Sequence, residues 1–196
     1  MKLPSLTAFI LLFFVCNSQA VITLNTGFGP LVDEVGAAVA VDSSAFLVAS
    51  TSDSSFADVE PTDTLSPGDF LGGGGGDDLI LGKVTLIDGG GMIFGNSPVE
   101  VTLVGDLTVG DPVMFLFFSS DHDGTNPAAG VRYGTITSGD GGSDAFVIPG
   151  DGSTVALTNS DFGGGTYPTN LAVVPEPSST LLILLGALSL FVRRRR

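Results

Sequence analysis

One short stretch of the chain groups side chains that could bind a metal ion, residues 121–126 with the sequence Asp-His-Asp-Gly-Thr-Asn. Hard cations such as Ca²⁺ prefer clustered carboxylate and amide oxygens, and Asp121, Asp123 and Asn126 supply them at close spacing. The stretch is not an EF-hand loop, because that loop needs Gly where Asn126 stands and Glu where Arg132 stands. The sequence therefore favours a solvated turn after the predicted strand 113–118, with a looser calcium site at Asp121, Asp123 and Asn126 as the alternative.

The sequence contains few residues that could support catalysis. His122 is the only histidine and Cys16 the only cysteine, so a catalytic triad or a zinc site would depend on a single loop residue. The tract Gly72–Gly76 fits one calcium-binding glycine repeat, but such repeats bind ions through many stacked copies. Carboxylates are too frequent for one glycosidase pair to stand out. We therefore predict a protein that is not an enzyme.

The charge of the chain is strongly asymmetric. All 21 acidic residues lie between Asp33 and Glu176, where only Lys83 and Arg132 are basic, which gives this part a net charge of −19. Such a field repels phosphate backbones and attracts cations, so nucleic acid is not expected as a partner, and a salty or calcium-containing exterior would relieve the repulsion.

The middle of the chain consists of short apolar runs separated by turn-forming Gly, Asp, Asn and Pro. This spacing predicts an all-β fold, an antiparallel β-sandwich of jelly-roll-like or Ig-like type. The continuous run Met114–Phe118 predicts a strand that is buried on both faces, and residues 51–78 predict a long exposed loop. The predicted strands are 21–24, 37–41, 45–49, 79–87, 99–104, 113–118, 131–137, 145–148, 154–157 and 171–174.

The front of the sequence has the features of a secretory signal peptide. Lys2 precedes an apolar run from Leu6 to Val15, and small residues, Ser18 and Ala20, stand at the −3 and −1 positions. We expect a signal helix over residues 1–20 and cleavage by signal peptidase between Ala20 and Val21.

The back of the sequence combines three features in order. Pro175, Glu176 and Pro177 form a stiff, extended segment, because proline cannot continue a helix or a sheet ladder. An apolar stretch of about 13 residues follows and predicts a hydrophobic helix over about residues 179–192, short for a ~30 Å hydrocarbon core. The cluster Arg193, Arg194, Arg195 and Arg196 then predicts a cytoplasmic end by the positive-inside rule.

This ending resembles the PEP-CTERM sorting signal, which exosortases process in Gram-negative bacteria. The resemblance rests on Pro175-Glu176-Pro177, the apolar stretch and the arginine cluster, and it covers only the tail. It implies recognition and cleavage near the motif by a membrane-embedded enzyme. It also implies delivery to the cell surface or extracellular matrix, with exopolysaccharide as a partner. The alternative is an ordinary membrane anchor that is never cut.

Together these observations predict a signal peptide at 1–20, an acidic all-β domain at 21–173 and a sorting signal at 174–196. The expected function is that of an exported, exosortase-sorted, non-catalytic surface or matrix protein, anchored transiently in the membrane. No cofactor is expected, with calcium as the alternative. Two alternatives remain open, a calcium- or glycan-binding β-sandwich module and a secreted hydrolase that uses carboxylates.

Overall fold

The computed structural model describes residues 21–28, 30–39, 43–53, 55–61, 63–72, 76–88, 93–95, 98–119, 126–137, 146–150, 152–158 and 167–173. These residues form strands and no helix, which confirms the all-β class. The strands are β1 (Ile22–Phe28), β2 (Leu31–Val32), β3 (Ser44–Ser50), β4 (Asp78–Asp88), β5 (Ile93–Gly95), β6 (Val99–Val101), β7 (Val113–Phe118), β8 (Arg132–Ile136), β9 (Thr154–Thr158), β10 (Tyr167–Pro168) and β11 (Leu171–Ala172).

Most of these strands join in one sheet of nine, ordered β11-β8-β7-β3-β4-β5-β1-β6, with β9 paired to β1 off this path. A second sheet consists of β2 and β10. Most pairs are antiparallel, as expected, but β9 runs parallel to β1 and β10 runs parallel to β2. The prediction of an antiparallel fold thus holds for the other pairs but not for these two, where a later part of the chain returns beside the N-terminal strands.

Two of the predicted strands form single bridges in their described residues, 37–39 and 146–148. Ala38 bridges to Val32, and the Asp33 carboxylate accepts the N–H groups of Val35 and Ala37 at 3.0 and 2.8 Å. These local bonds hold a turn instead of a strand. In the run 145–148, of which residues 146–148 are described, the bridge joins Val147 to Pro112. The hydrogen bonds beside it run from the Val113 N–H to the Phe146 carbonyl at 2.9 Å and from the Ile148 N–H to the Asp111 carbonyl at 2.8 Å.

The strands β3 and β7 lie at the centre of the sheet, and every residue of both is buried. They pair in antiparallel register, with Leu47 opposite Phe115. Alternate side chains enter two separate apolar clusters. Cluster one contains Leu47, Phe115 and Phe117, and cluster two contains Phe46, Leu116 and Phe118. The prediction that Met114–Phe118 is buried on both faces is confirmed.

A β-bulge in β4 changes which face its side chains occupy. Leu47 pairs with Gly82 and Val48 pairs with Ile80, so Leu81 is an extra residue without a partner. Before the bulge, Leu79 and Leu81 pack on cluster one, and beyond it the even-numbered Val84 and Leu86 belong to that cluster. An extra residue inverts the alternation, which leaves Lys83 exposed and keeps the apolar residues inside.

The sheet folds back on itself at this bulge. A Cβ on Gly82 would lie 2.9 Å from Cγ2 of Val99 and still closer to Cγ1. Val99 belongs to β6, which lies at the far edge of the sheet, three places from β4 in the strand order beyond β5 and β1. Their contact means that the two halves of the sheet face one another, with cluster one between them. Glycine permits this close approach because it has no side chain.

The segment between β3 and β4 was predicted to be a long exposed loop, and that prediction was half wrong. Its described residues form no strand, but Val59, Leu65 and Leu71 are at most 2 % exposed and belong to cluster two. Asp63, itself 1 % exposed, holds the segment together by accepting the N–H groups of Glu60 and Gly72 at 2.7 and 3.0 Å. This irregular segment, residues 51–77, therefore covers the second face of β3 and β7.

We expect Gly82→Ala to lower the free energy of unfolding by about 1–3 kcal/mol, the usual range for overpacking a core, because the new methyl group would overlap Val99. Urea denaturation followed by circular dichroism measures the change. Gly150→Ala is the control, since a Cβ there meets only Ser153 Oγ at 3.7 Å. Equal stability of the two variants would contradict the close approach.

Candidate functional site

Most of the predicted site residues lie outside the described part of the chain. They are Ala20, Asp121, Asp123, Pro175, Glu176, Pro177, Arg193, Arg194, Arg195 and Arg196. The predicted signal helix and the predicted hydrophobic helix also lie outside it. Among the described residues, no helix has the length and apolar character needed to cross a membrane.

Two predicted site residues do fall within the described chain. Val21, on the predicted mature side of the signal cleavage, is 45 % exposed, and the next residue, Ile22, is fully buried and pairs with Val101. Asn126 is exposed. The described residues contain no group of three or more His, Cys, Asp or Glu side chains suited to a metal ion. The predicted solvated turn, and its alternative of a calcium site at Asp121, Asp123 and Asn126, both stay predictions.

The last described strand, β11, is short and lies at an edge of the sheet. Leu171 and Ala172 pair with Tyr133 and Arg132 of β8 in antiparallel register. Val173 follows and is 1 % exposed within cluster two. Its N–H donates to the carbonyl of Val131 at 3.0 Å, and its carbonyl accepts the N–H of Gly130 at 2.8 Å. Backbone hydrogen bonds thus hold the chain as far as Val173, the residue before Val174.

Gly130 makes this attachment possible. It lies in a turn closed by the N–H of Val131, which donates to the carbonyl of Ala128 at 3.1 Å, and its φ is +86°. Side-chain-bearing residues rarely adopt this conformation. The turn therefore directs the Gly130 N–H toward Val173.

A cleft of about 230 Å³ lies beside β11. It is bounded by the irregular segment on one side and by β8 and β11 on the other, and its lining residues are Asp58, Val59, Glu60, Tyr133, Leu171 and Ala172. The strand β11 is therefore incompletely covered on the side that faces the irregular segment.

Tyr133 ties the irregular segment to β8 beside this cleft. Its hydroxyl donates to Asp58 Oδ1 at 3.2 Å and accepts the buried N–H of Val59 at 3.3 Å. Burial of the ring, followed by the nearby Asp58 charge, raises the pKa of Tyr133 to about 12, although the Val59 bond opposes this. The hydroxyl therefore stays protonated at neutral pH. Sequence reasoning did not identify this bond, because its partners are more than 70 positions apart.

A group of acidic side chains lies at the junction of β3, β4 and the irregular segment. Asp78 is 1 % exposed. Its Oδ2 accepts the N–H of Ala57 at 2.5 Å, and its Oδ1 is buried without a hydrogen-bond partner. Burial, and secondarily the charge of Asp77, raise the pKa of Asp78 above its ordinary value of 3.8, against the effect of the Ala57 bond.

The neighbouring Asp53 has the opposite environment. It is exposed, and its Oδ1 accepts the N–H of Ser55 at 2.7 Å and the Ser55 hydroxyl at 2.9 Å. The backbone bond from Ser55 is the main cause that lowers the pKa of Asp53 below 3.8, and the Ser55 hydroxyl adds to it. The pKa values of two neighbouring carboxyl groups are therefore shifted in opposite directions.

We expect Asp78→Asn and Asp53→Asn to change thermal stability in opposite directions at pH 7. An acid whose folded pKa is raised stabilises the fold only below its unfolded value, and this contribution is lost as pH rises through the folded pKa. Asp78→Asn removes an ionised buried group, so it should raise the melting temperature at pH 7 and have little effect near pH 3.

Asp53→Asn is the matched control. The depressed pKa of Asp53 stabilises the fold above the unfolded value and ceases to do so as pH falls through the folded pKa. This variant should melt lower than the parent at pH 7, and the difference should shrink in acid. Calorimetric scans across this pH range measure both effects, and the same sign for both variants would contradict the geometry.

We expect Tyr133→Phe to destabilise the fold by about 1–3 kcal/mol, because the buried Val59 N–H would lose its acceptor. Chemical denaturation of Tyr133→Phe, Asp58→Ala and the double variant forms a thermodynamic cycle. A coupling energy near zero would show that the hydroxyl does not bind Asp58.

The comparisons with known proteins concern the tail. A family model described as the PEP-CTERM protein-sorting motif matches residues 173–196. No curated protein matches the chain, and no solved structure matches it. The match confirms the resemblance on Pro175-Glu176-Pro177 and begins one residue earlier than predicted, at the buried Val173. The chain therefore carries a PEP-CTERM protein-sorting motif, directly after the last strand of its β fold.

Proposed function

We propose that this chain is an exported, non-catalytic protein that an exosortase sorts to the cell surface or extracellular matrix of a Gram-negative bacterium. The PEP-CTERM match at residues 173–196 is the observation that carries the proposal, since the motif implies export and exosortase processing. In this role Pro175, Glu176 and Pro177 are parts of a substrate. Signal peptidase removes residues 1–20, and the apolar stretch holds the chain in the membrane until the tail is cut.

The strong negative charge supports an exterior location. The 21 acidic residues face only two basic ones outside the two ends, so the domain repels itself unless ions screen it. A medium with salt or divalent cations supplies that screening. The same charge makes a neutral or cationic partner, such as an uncharged exopolysaccharide, more compatible with this surface than an anionic polymer.

The non-catalytic part of the proposal is supported by what the described carboxylates do. Asp33, Asp63 and Asp111 each accept backbone N–H groups in turns, which is a structural role. The observation that favours the hydrolase alternative is the cleft that Asp58 and Glu60 both line. Its volume of about 230 Å³ is below the roughly 300–1,000 Å³ of ordinary ligand pockets, and Asp58 already accepts a hydrogen bond from Tyr133.

Replacing Pro175, Glu176 and Pro177 together with alanine should leave the tail on the protein. The physical reason is that the stiff extended segment and its charge are what the processing enzyme reads. Mass spectrometry of the protein from the cell surface and from the membrane fraction reads both termini. The parent should begin at Val21 and lack Arg193–Arg196, whereas the variant should retain the arginines in the membrane fraction.

Glu100→Ala is the matched control, because it removes an exposed glutamate from β6 without touching the tail. It should be processed like the parent. Normal tail removal and surface delivery in the triple variant would rule out exosortase sorting and leave a tethered β protein.

A further inference from the structure

The folded body and the sorting motif overlap. The matched segment starts at Val173, which is 1 % exposed and is hydrogen-bonded through its N–H to Val131 and through its carbonyl to Gly130. Only Val174 separates this residue from Pro175. A fully extended chain gains at most ~3.6 Å per residue, so the chain length allows Pro175 at most about 7 Å from Val173 while β11 is in place.

The membrane limits the motif from the other side. Ser178 and Ser179 are the only residues between Pro177 and the apolar stretch that begins at Thr180. This distance is at most about 10 Å. An enzyme embedded in the membrane that encloses the motif therefore has little free chain to bind between the folded domain and the bilayer.

The backbone groups next to the motif are also already in use. Leu171 pairs with Tyr133 of β8, and the N–H and the carbonyl of Val173 bond to Val131 and Gly130. An enzyme that binds this part of the chain as an added strand through the same N–H and carbonyl groups competes with these bonds. The docked strand and an enzyme-bound strand that uses the groups of Leu171 and Val173 thus exclude one another.

The structure shows where a released tail would remain attached. Thr169 is fully buried, its N–H donates to the carbonyl of Val32 at 2.9 Å, and its hydroxyl lies 3.4 Å from Glu34 Oε2. Asn170, which follows it, is exposed. Beyond this point β11 contributes a two-residue pairing at the edge of the sheet, beside the cleft of about 230 Å³.

We propose that residues 171–173 form a releasable strap, and that the exosortase engages the motif only after this strap has left β8. The anchor then moves back to Thr169, six residues before Pro175, and the motif can extend about 20 Å from the folded body. The partner that the released strap fits is an enzyme that reads an extended peptide. This inference rests on the proposed function and adds a conformational step to it.

A disulfide that locks the strap tests the proposal in the full chain in its native host. Ala172 and Arg132 are direct cross-strand partners, and such pairs have Cα separations of about 4.5–5.5 Å, within the range that a disulfide spans. The only native cysteine is Cys16, in the predicted signal peptide. In the oxidising space outside the cytoplasm, Ala172→Cys with Arg132→Cys should lose the cleaved form, and an added reductant should restore it.

Each single cysteine variant is a control that should be processed like the parent. A flexible Gly-Ser linker of about six residues, inserted between Val173 and Val174 of the locked chain, should restore cleavage because it supplies about 20 Å of free chain. The same linker in the parent, without cysteines, should make tail removal faster. This last variant contains no disulfide, so it tests the spacing even where the double cysteine variant fails to fold.

Three results would overturn the proposal that residues 171–173 must be released. They are normal cleavage of the oxidised double variant, a block that the linker does not relieve, and an unchanged cleavage rate in the linker variant of the parent. Failure of the proposed function has a different signature, because the parent itself would then retain Arg193–Arg196, with or without the linker.

Discussion

The burial of β3 and β7 on both faces is the constraint on which the rest of this structure depends. A strand pair with apolar side chains on each side, such as Phe46 and Leu47 or Phe115 and Leu116, needs two apolar covers. The folded-back half of the sheet supplies one, and the bulge at Leu81 with the bare Gly82 lets it approach. The irregular segment supplies the other through Val59, Leu65 and Leu71.

The second cover explains how so acidic a chain forms a core without disulfides. The irregular segment has no ladder of its own among its described residues, so its conformation depends on local bonds to carboxylates. Asp63 accepts two backbone N–H groups within it, and Asp78 accepts the N–H of Ala57. Charged acceptors form stronger hydrogen bonds than neutral ones. Much of the negative charge near this region therefore stabilises the backbone, while Asp78 shows the cost of burying a carboxylate whose second oxygen lacks a partner.

The irregular segment also connects to the strand that precedes the sorting motif. Tyr133 bonds the irregular segment through Asp58 and Val59, and it also pairs with Leu171 in the last described strand. The end of the folded domain is therefore part of cluster two, and the sorting motif begins inside it at Val173. A tail that starts within the core, and not after a linker, makes its processing sensitive to how firmly the final strand is held.

The sequence alone was sufficient to predict the all-β class, the doubly buried strand Met114–Phe118 and the sorting motif, because each is a local pattern of residue types. It was not sufficient for the strand order, the two parallel pairs or the buried state of the segment before β4. Those depend on contacts between distant residues, such as Gly82 with Val99 and Tyr133 with Val59. A glycine-rich segment is predicted to be an exposed loop even where it contains apolar residues, because the sequence does not show which surface those residues cover. Only the tertiary structure shows that surface.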